Sequence, residues 1–190
     1  RALELAAELG KEIHIHVDQM NHPSESASET VVRIVDELGL ACGRWQTPRV
    51  WLVHVISPST YPEGRFQTLL DHMVAMNVGV ICCPSAAISM RQIRTVATPT
   101  YNSIARVLEM LAAGLHVRLG SDNICDITSP AGTPDLLHEI YVLCNALRYY
   151  DVDLLARLGA GLKPVRADLE RLRAHLEEDR AEVARIARAA

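Results

Sequence analysis

The segment Glu12-Ile13-His14-Ile15-His16-Val17-Asp18-Gln19 alternates aliphatic and polar residues with a period of two, the signature of an extended strand. On such a strand His14 and His16 project from one face, and Ile13, Ile15 and Val17 from the other. Aliphatic residues on the reverse face suit a strand of a parallel sheet covered by helices. Imidazole is the commonest protein metal ligand, and a histidine at a strand end is held on a rigid element. The stretch therefore predicts a strand, and it makes His16 a candidate metal ligand beside the simpler role of a hydrogen-bonded core or surface residue.

Working outward, the same unit recurs. A helix is expected from Glu25 or Ser28 to Leu38, stopped by Gly39, before a second short strand over Arg49–Val55 that carries His54 near its end. A helix over Glu63–Met76 leads to a third strand, Val78–Cys83, closed by Pro84. Ser85 to Pro99 reads as a long polar loop, Tyr101–Ala113 as a helix ended by Gly114, and Leu115–Asp122 as a fourth strand. Strand, loop and helix in this rhythm predict consecutive βα units, a parallel sheet and right-handed crossovers. Ligands of such sheets sit at the carboxyl ends of the strands, where His16, His54 and Asp122 all fall. That convergence makes the three a candidate metal or catalytic cluster.

Composition narrows the partners. The chain has 190 residues, 49% hydrophobic and 22% charged, enough for one sizeable core. A net charge of -4 and the lack of basic clusters interleaved with aromatics argue against nucleic acid, and no apolar run is long enough for a membrane span. Five cysteines, an odd number with no CxxC, predict neither a disulfide framework nor a zinc knuckle, so a reducing cytoplasm is the expected location. The sequence opens on Arg1 inside an apparent helix, which reads as a segment of something longer. Beyond the fourth strand, Thr133–Arg148 is expected as a helix with a core-facing stripe of Leu136, Leu137, Ile140, Leu143, Cys144 and Leu147. Asp168–Ala189 is expected as an Arg/Glu-laced helix that packs on the barrel exterior or on a second subunit in a homo-oligomer.

His16-x-x-Gln19, Val53-His54, Cys83-Pro84-Ser85 and Gly120-Ser121-Asp122-Asn123, in this order at successive strand ends, resemble the last four strands of the amidohydrolase superfamily, with its cytosine-deaminase-like members closest. The resemblance implies the second half of a TIM-type (β/α)8 barrel over residues 1–147, strands five to eight; the helical residues after it read as a C-terminal extension over 148–190. It further implies zinc or iron(II) held by His16 and Asp122, with His54 orienting the nucleophile or substrate or ligating a second metal, and Asp122 accepting a proton from the attacking water. His14 receives no role from it. The family's first-strand His-x-His pair would lie upstream, so this piece is expected to be inactive alone.

In the deaminases the position of Gln19 is a glutamate that shuttles protons. An amide donates a hydrogen bond but is neither acid nor base near neutral pH, so Asp122 alone, or a neighbour such as Asp18 or His22, would carry the protons. Asn123 stands where relatives can carry a second acid. Ser85, Ser89, Arg91, Gln92 and Asn123 are candidate contacts for a small-molecule substrate. Arg118, inside the barrel below the metal, is expected to find an ion-pair partner or an anionic substrate group. The reaction implied is hydrolysis of a C–N bond in a small cyclic or nitrogenous compound. The alternative is a non-catalytic barrel half used for binding or oligomerisation.

Overall fold

In the computed structural model the described residues are 1–43, 46–89 and 104–189. Four strands, β1 (Ile13–Val17), β2 (Val50–His54), β3 (Gly79–Cys82) and β4 (Val117–Leu119), form one parallel sheet in the order β1-β2-β3-β4. Helices α1 (Ala2–Glu8), α2 (Ala27–Glu37), α3 (Glu63–Ala75) and α5 (Val107–Ala112) alternate with the strands, and α4 (Pro84–Ser89) follows β3 directly. After the sheet come α6 (Leu136–Leu147), α7 (Val152–Gly159) and α8 (Arg166–Ala189). This is the expected α/β architecture: parallel βα units forming part of a TIM-type barrel.

The register fixes which side chains share a face. Ile13 pairs with Val50, His14 with Trp51, Ile15 with Leu52 and His16 with Val53. On the helix-covered face Leu52, Val80 and Val117 join Val32, Phe66, Met73 and Met110 in the main core, each no more than 1% exposed. On the other face Val53, Ile81, Cys83 and Ala86 form a second, smaller cluster. The glycine at 79 makes that face possible. A Cβ there would sit 2.4 Å from the Trp51 ring, so only hydrogen leaves room for the indole.

Trp51 is the centre of the lower layer. His14 and His116 meet its ring edge-on at 6.4 and 5.0 Å, and the Arg118 guanidinium carbon lies 4.1 Å from the ring centroid. Arg118 has no carboxylate partner among the described residues, and the face of the indole takes the cation. His116 is 7% exposed and its Nε2 donates to the Gly161 carbonyl at 3.0 Å. Burial lowers its pKa below the usual 6.5; the bond to Gly161 opposes this, Arg118 and Lys163 add to it, and Glu12 opposes it. The folded chain therefore takes up the His116 proton later than the unfolded chain as pH falls. Its contribution to stability is complete above about pH 6.5 and is lost as pH drops from there through the depressed folded value. Urea unfolding from pH 8 to pH 5 is expected to show that decline, and His116→Gln to make it shallower.

Several boundaries differ from expectation. The chain after Pro84 enters α4 rather than a polar loop, because Ser85, Ala86 and Ala87 continue helically and bury Ala86 and Ala87. Helix α5 begins at Val107, not Tyr101; residues 104–106 are non-helical, with Arg106 as the N-cap, and 101–103 lie outside the described residues. The fourth strand is Val117–Leu119, shorter than Leu115–Asp122. On α6 the stripe is narrower than its spacing suggests: Leu143 is buried, Leu136 and Leu137 are 37% and 74% exposed. Helix α7, unanticipated, buries Leu154, Leu155 and Leu158 behind an Asp151 N-cap that accepts from the Leu154 amide. Leu172 of α8 is fully buried, yet Val183 and Ile186 are 66% and 54% exposed, since that helix runs past the body it packs on.

Candidate metal centre

The site begins with the backbone beyond two strand ends. By alternation His54 follows Val53 onto the helix-covered face, but its φ is +79° and that of Val55 is +51°. Left-handed backbone at a histidine and a β-branched valine is uncommon and costs energy. Here it turns the His54 ring back over the barrel side, onto His16. Asp122 is likewise left-handed, at φ +58°, just past β4.

These turns bring three residues from three strand ends together. His54 Nε2 lies 3.1 Å from His16 Nδ1 and 3.9 Å from Asp122 Oδ2. The two rings meet edge-on at 4.9 Å. One ligand atom from each residue falls within 4.8 Å of the others. Two nitrogens bound tetrahedrally to one zinc lie about 3.3 Å apart, so the imidazole spacing suits a shared ion without rebuilding the strands. His54 is 1% exposed, His16 is exposed and Asp122 intermediate, so the cluster has a closed floor and an open mouth. Burial lowers the His54 pKa; Asp122 opposes that shift and His16 adds to it. A neutral imidazole is the form that ligates metal. Its Nδ1 is buried without a protein partner among the described residues.

Around the cluster the expected residues divide. Asp18 is 2% exposed and fully engaged: its carboxylate accepts from the Ala27 amide at 2.7 Å, the Ser28 amide at 3.1 Å and the Ser28 hydroxyl. It anchors the start of α2, which removes it as a substitute proton carrier. His22 Nδ1 pairs with Ser24 Oγ at 2.6 Å, while its amide donates to Ser57 Oγ at 3.0 Å. Gln19 lies two residues past the end of β1 and is half-buried. Ser85 and Asn123 line one cavity of about 210 Å³ with Ser121 and His138. The Ser85 hydroxyl donates to Glu139 and the Asn123 amide to Asp126, so both side chains are also structural. Gln92 and Arg91 lie outside the described residues; Ser89 lines the same cavity.

Two supporting residues were not anticipated. Glu139, 0% exposed, receives both the amide and the hydroxyl of Ser85 and so ties α6 to the turn after β3. Its signal was available: an acid between Leu136 and Leu143 on the face of α6 that should be apolar. Glu25 Oε2 receives the Met20 amide at 2.8 Å and the Ser57 hydroxyl, bracing the loops after β1 and β2. Cys83 is pushed up to about 12 by burial and by the Asp122 and Glu139 carboxylates, which keeps it a thiol rather than a thiolate ligand.

No protein-family model matches the sequence, and no curated protein matches it. Solved structures do. The chain superposes on 5-methylcytosine deaminase from Klebsiella pneumoniae liganded with 5-fluorocytosine with a TM-score of 0.70 at 21% identity, over 82% of this chain and 37% of that one. The same enzyme liganded with phosphonocytosine gives 0.69 at 21% identity, with the same coverage. N-isopropylammelide isopropylaminohydrolase from Burkholderia multivorans ATCC 17616 gives 0.62 at 20% identity, over 84% of this chain and 36% of that one. These structural neighbours belong to the amidohydrolase superfamily, and at this identity the likeness establishes the fold. The chain spans little more than a third of their length, 36–37%. No helix among the described residues is long and apolar enough to cross a membrane.

Proposed function

We propose that this chain is the C-terminal half of the barrel of a metal-dependent amidohydrolase, one that hydrolyses a C–N bond of a small cyclic or nitrogenous substrate by deamination or amide cleavage. The observation that carries the reading is the meeting of His16, His54 and Asp122 ligand atoms within 4.8 Å, at the carboxyl ends of parallel strands. His16, His54 and Asp122 would hold zinc or iron(II), for which two imidazoles and a carboxylate are a suitable donor set. When bound, such an ion lowers the pKa of water to near neutrality and polarises the carbon under attack.

The protein's own groups handle the rest. Asp122 accepts a proton from the attacking water and returns it to the departing nitrogen, so that C–O and N–H bonds replace O–H and C–N. His54, neutral and rigid, orients the nucleophile. Gln19 donates a hydrogen bond to the substrate without exchanging a proton. Ser85 and Asn123 supply polar contacts at the mouth, and Gln92 is a further candidate for substrate contact.

One feature favours the alternative, a binding or assembly module: Gln19 stands where an acid would serve deamination. The test is release of ammonia or amine from a panel of cyclic amidines and amides, assayed in the context of a complete barrel with added zinc or iron(II). Metal-dependent release that Asp122→Asn abolishes supports hydrolysis. Full metal binding with no release from any amidine or amide returns the module reading.

A further inference from the structure

A cavity lies at the opposite end of the strands from the metal cluster. Its volume is about 300 Å³, within the range of small-molecule sites. Leu3, Ala6 and Ala7 of α1 form one wall, Ile13 and Val50 at the base of β1 and β2 the floor, and Leu40 and Gly43 belong to the wall after α2. Ile13 and Val50 are register partners, and the Ile13 amide donates to the Arg49 carbonyl at 2.9 Å. That pairing brings Lys11 and Arg49, each just before its strand, to the same end of the sheet, and both line the cavity.

Its lining is cationic and mixed, with the aliphatic side chains of Leu3, Ile13 and Val50 beside Lys11, Arg49 and Gln46. No aspartate or glutamate lines it, and among the described residues neither Lys11 nor Arg49 has an ion-pair partner. In a chain of net charge -4, two uncompensated cations at one cavity form a local reversal of field. The wall after α2 is also built. Asn77, left-handed at φ +50°, donates from Nδ2 to the Gly43 carbonyl at 3.0 Å, the Gln46 carbonyl at 3.1 Å and the Cys42 sulfur at 3.2 Å. Such bracing holds the cavity open with no contribution from the metal cluster.

We propose that this cavity is a binding site for a small organic anion: a carboxylate or phosphate head between Lys11 and Arg49, and a short apolar body against Leu3, Ala7, Ile13 and Val50. Arg49 provides the forked donors that match either oxyanion, and Lys11 adds a point charge. The site stands independently of the hydrolase reading, because it shares no residue with the cluster of His16, His54 and Asp122.

The test uses the metal-free chain titrated with hexanoate, hexan-1-ol and inorganic phosphate, followed by calorimetry and by amide chemical shifts. Hexanoate is expected to saturate at about 0.1–10 mM, the range open to a ligand of its size. Hexan-1-ol is expected to bind about tenfold more weakly for want of the charge, and phosphate about tenfold more weakly for want of the apolar body. Lys11→Gln and Arg49→Gln, at exposed positions, are each expected to weaken hexanoate by about fivefold to tenfold. Ala7→Leu, which fills the cavity, is expected to abolish binding, while His16→Ala leaves it unchanged. No saturation by ~30 mM hexanoate overturns the proposal. So does equal binding of hexan-1-ol, or affinity unmoved by both charge variants; phosphate bound more tightly than hexanoate overturns the apolar subsite.

Discussion

One equivalent of zinc or iron(II) is expected to stay with the chain after dialysis against limiting metal, and His54→Ala is expected to lower that affinity by about 100-fold or more, the scale of a lost direct ligand. The reasoning starts from the apo geometry. His54 Nε2 sits 3.1 Å from His16 Nδ1, close enough that one ring donates to the other when no ion is present. His16 and His54 would hold the ion in place of that hydrogen bond, and the His54 ring is ready for it because burial depresses its pKa. Asp122 supplies the compensating negative charge 3.9 Å from the same nitrogen. Asp122→Asn keeps the shape but removes that charge, so a loss comparable to His54→Ala is expected, as it is for His16→Ala. Ser85→Ala, which touches Glu139 and not the cluster, is expected to retain the metal. Ligation also links to folding: at free metal about 100 times the dissociation constant, the native state gains about 2.7 kcal/mol, visible as a raised urea midpoint. Elemental analysis reads the first result and denaturation the second. Metal retained equally by all three ligand variants, or by none including the parent, would sink the site.

Much of this arrangement follows from periodicity. The alternation in Ile13–Val17 placed His14 and His16 on one face and the aliphatics on the helices, where they are. Recurring strand and helix units dictated a parallel sheet, and the parallel sheet dictated one functional rim. Periodicity fails where the backbone leaves its regular path. Nothing in the residue types announces that His54 and Val55 take left-handed conformations, since valine is among the residues least suited to them. Alternation alone would have buried His54 under the helices; the strain at the strand end is what returns it to His16. The stacking of Arg118 was illegible for another reason. Its indole partner is on β2 and reaches it only because Gly79 on β3 leaves the intervening space empty, a three-strand coincidence that no local pattern encodes. Glu139, by contrast, was legible as a charge on an apolar face, and its role needed only the question of what it receives.

Replacing Asp18 by alanine is expected to cost about 3–5 kcal/mol, more than an ordinary surface or loop change, because a buried carboxylate there satisfies three donors at once. The Ala27 and Ser28 amides open α2 and have no helical acceptor of their own, and Ser28 is 0% exposed. Asp18→Asn retains one acceptor oxygen but turns an amide toward a donor, so an intermediate loss of about 1–3 kcal/mol is expected. Urea midpoints at constant m-value measure both. The effect should also reach the rim. The Asp18 carbonyl receives the Ile56 and Ser57 amides at 2.9 and 3.0 Å, directly after the strained pair His54 and Val55. That backbone conformation persists only while its surroundings over-determine it. Loosening Asp18 therefore releases the His54 turn, and metal affinity in Asp18→Ala is expected to fall by about tenfold although no ligand has been touched. A variant that unfolds more easily yet binds metal as tightly as the parent would show that the turn at His54 is held by its strand alone, and would separate the anchoring of α2 from the positioning of the site.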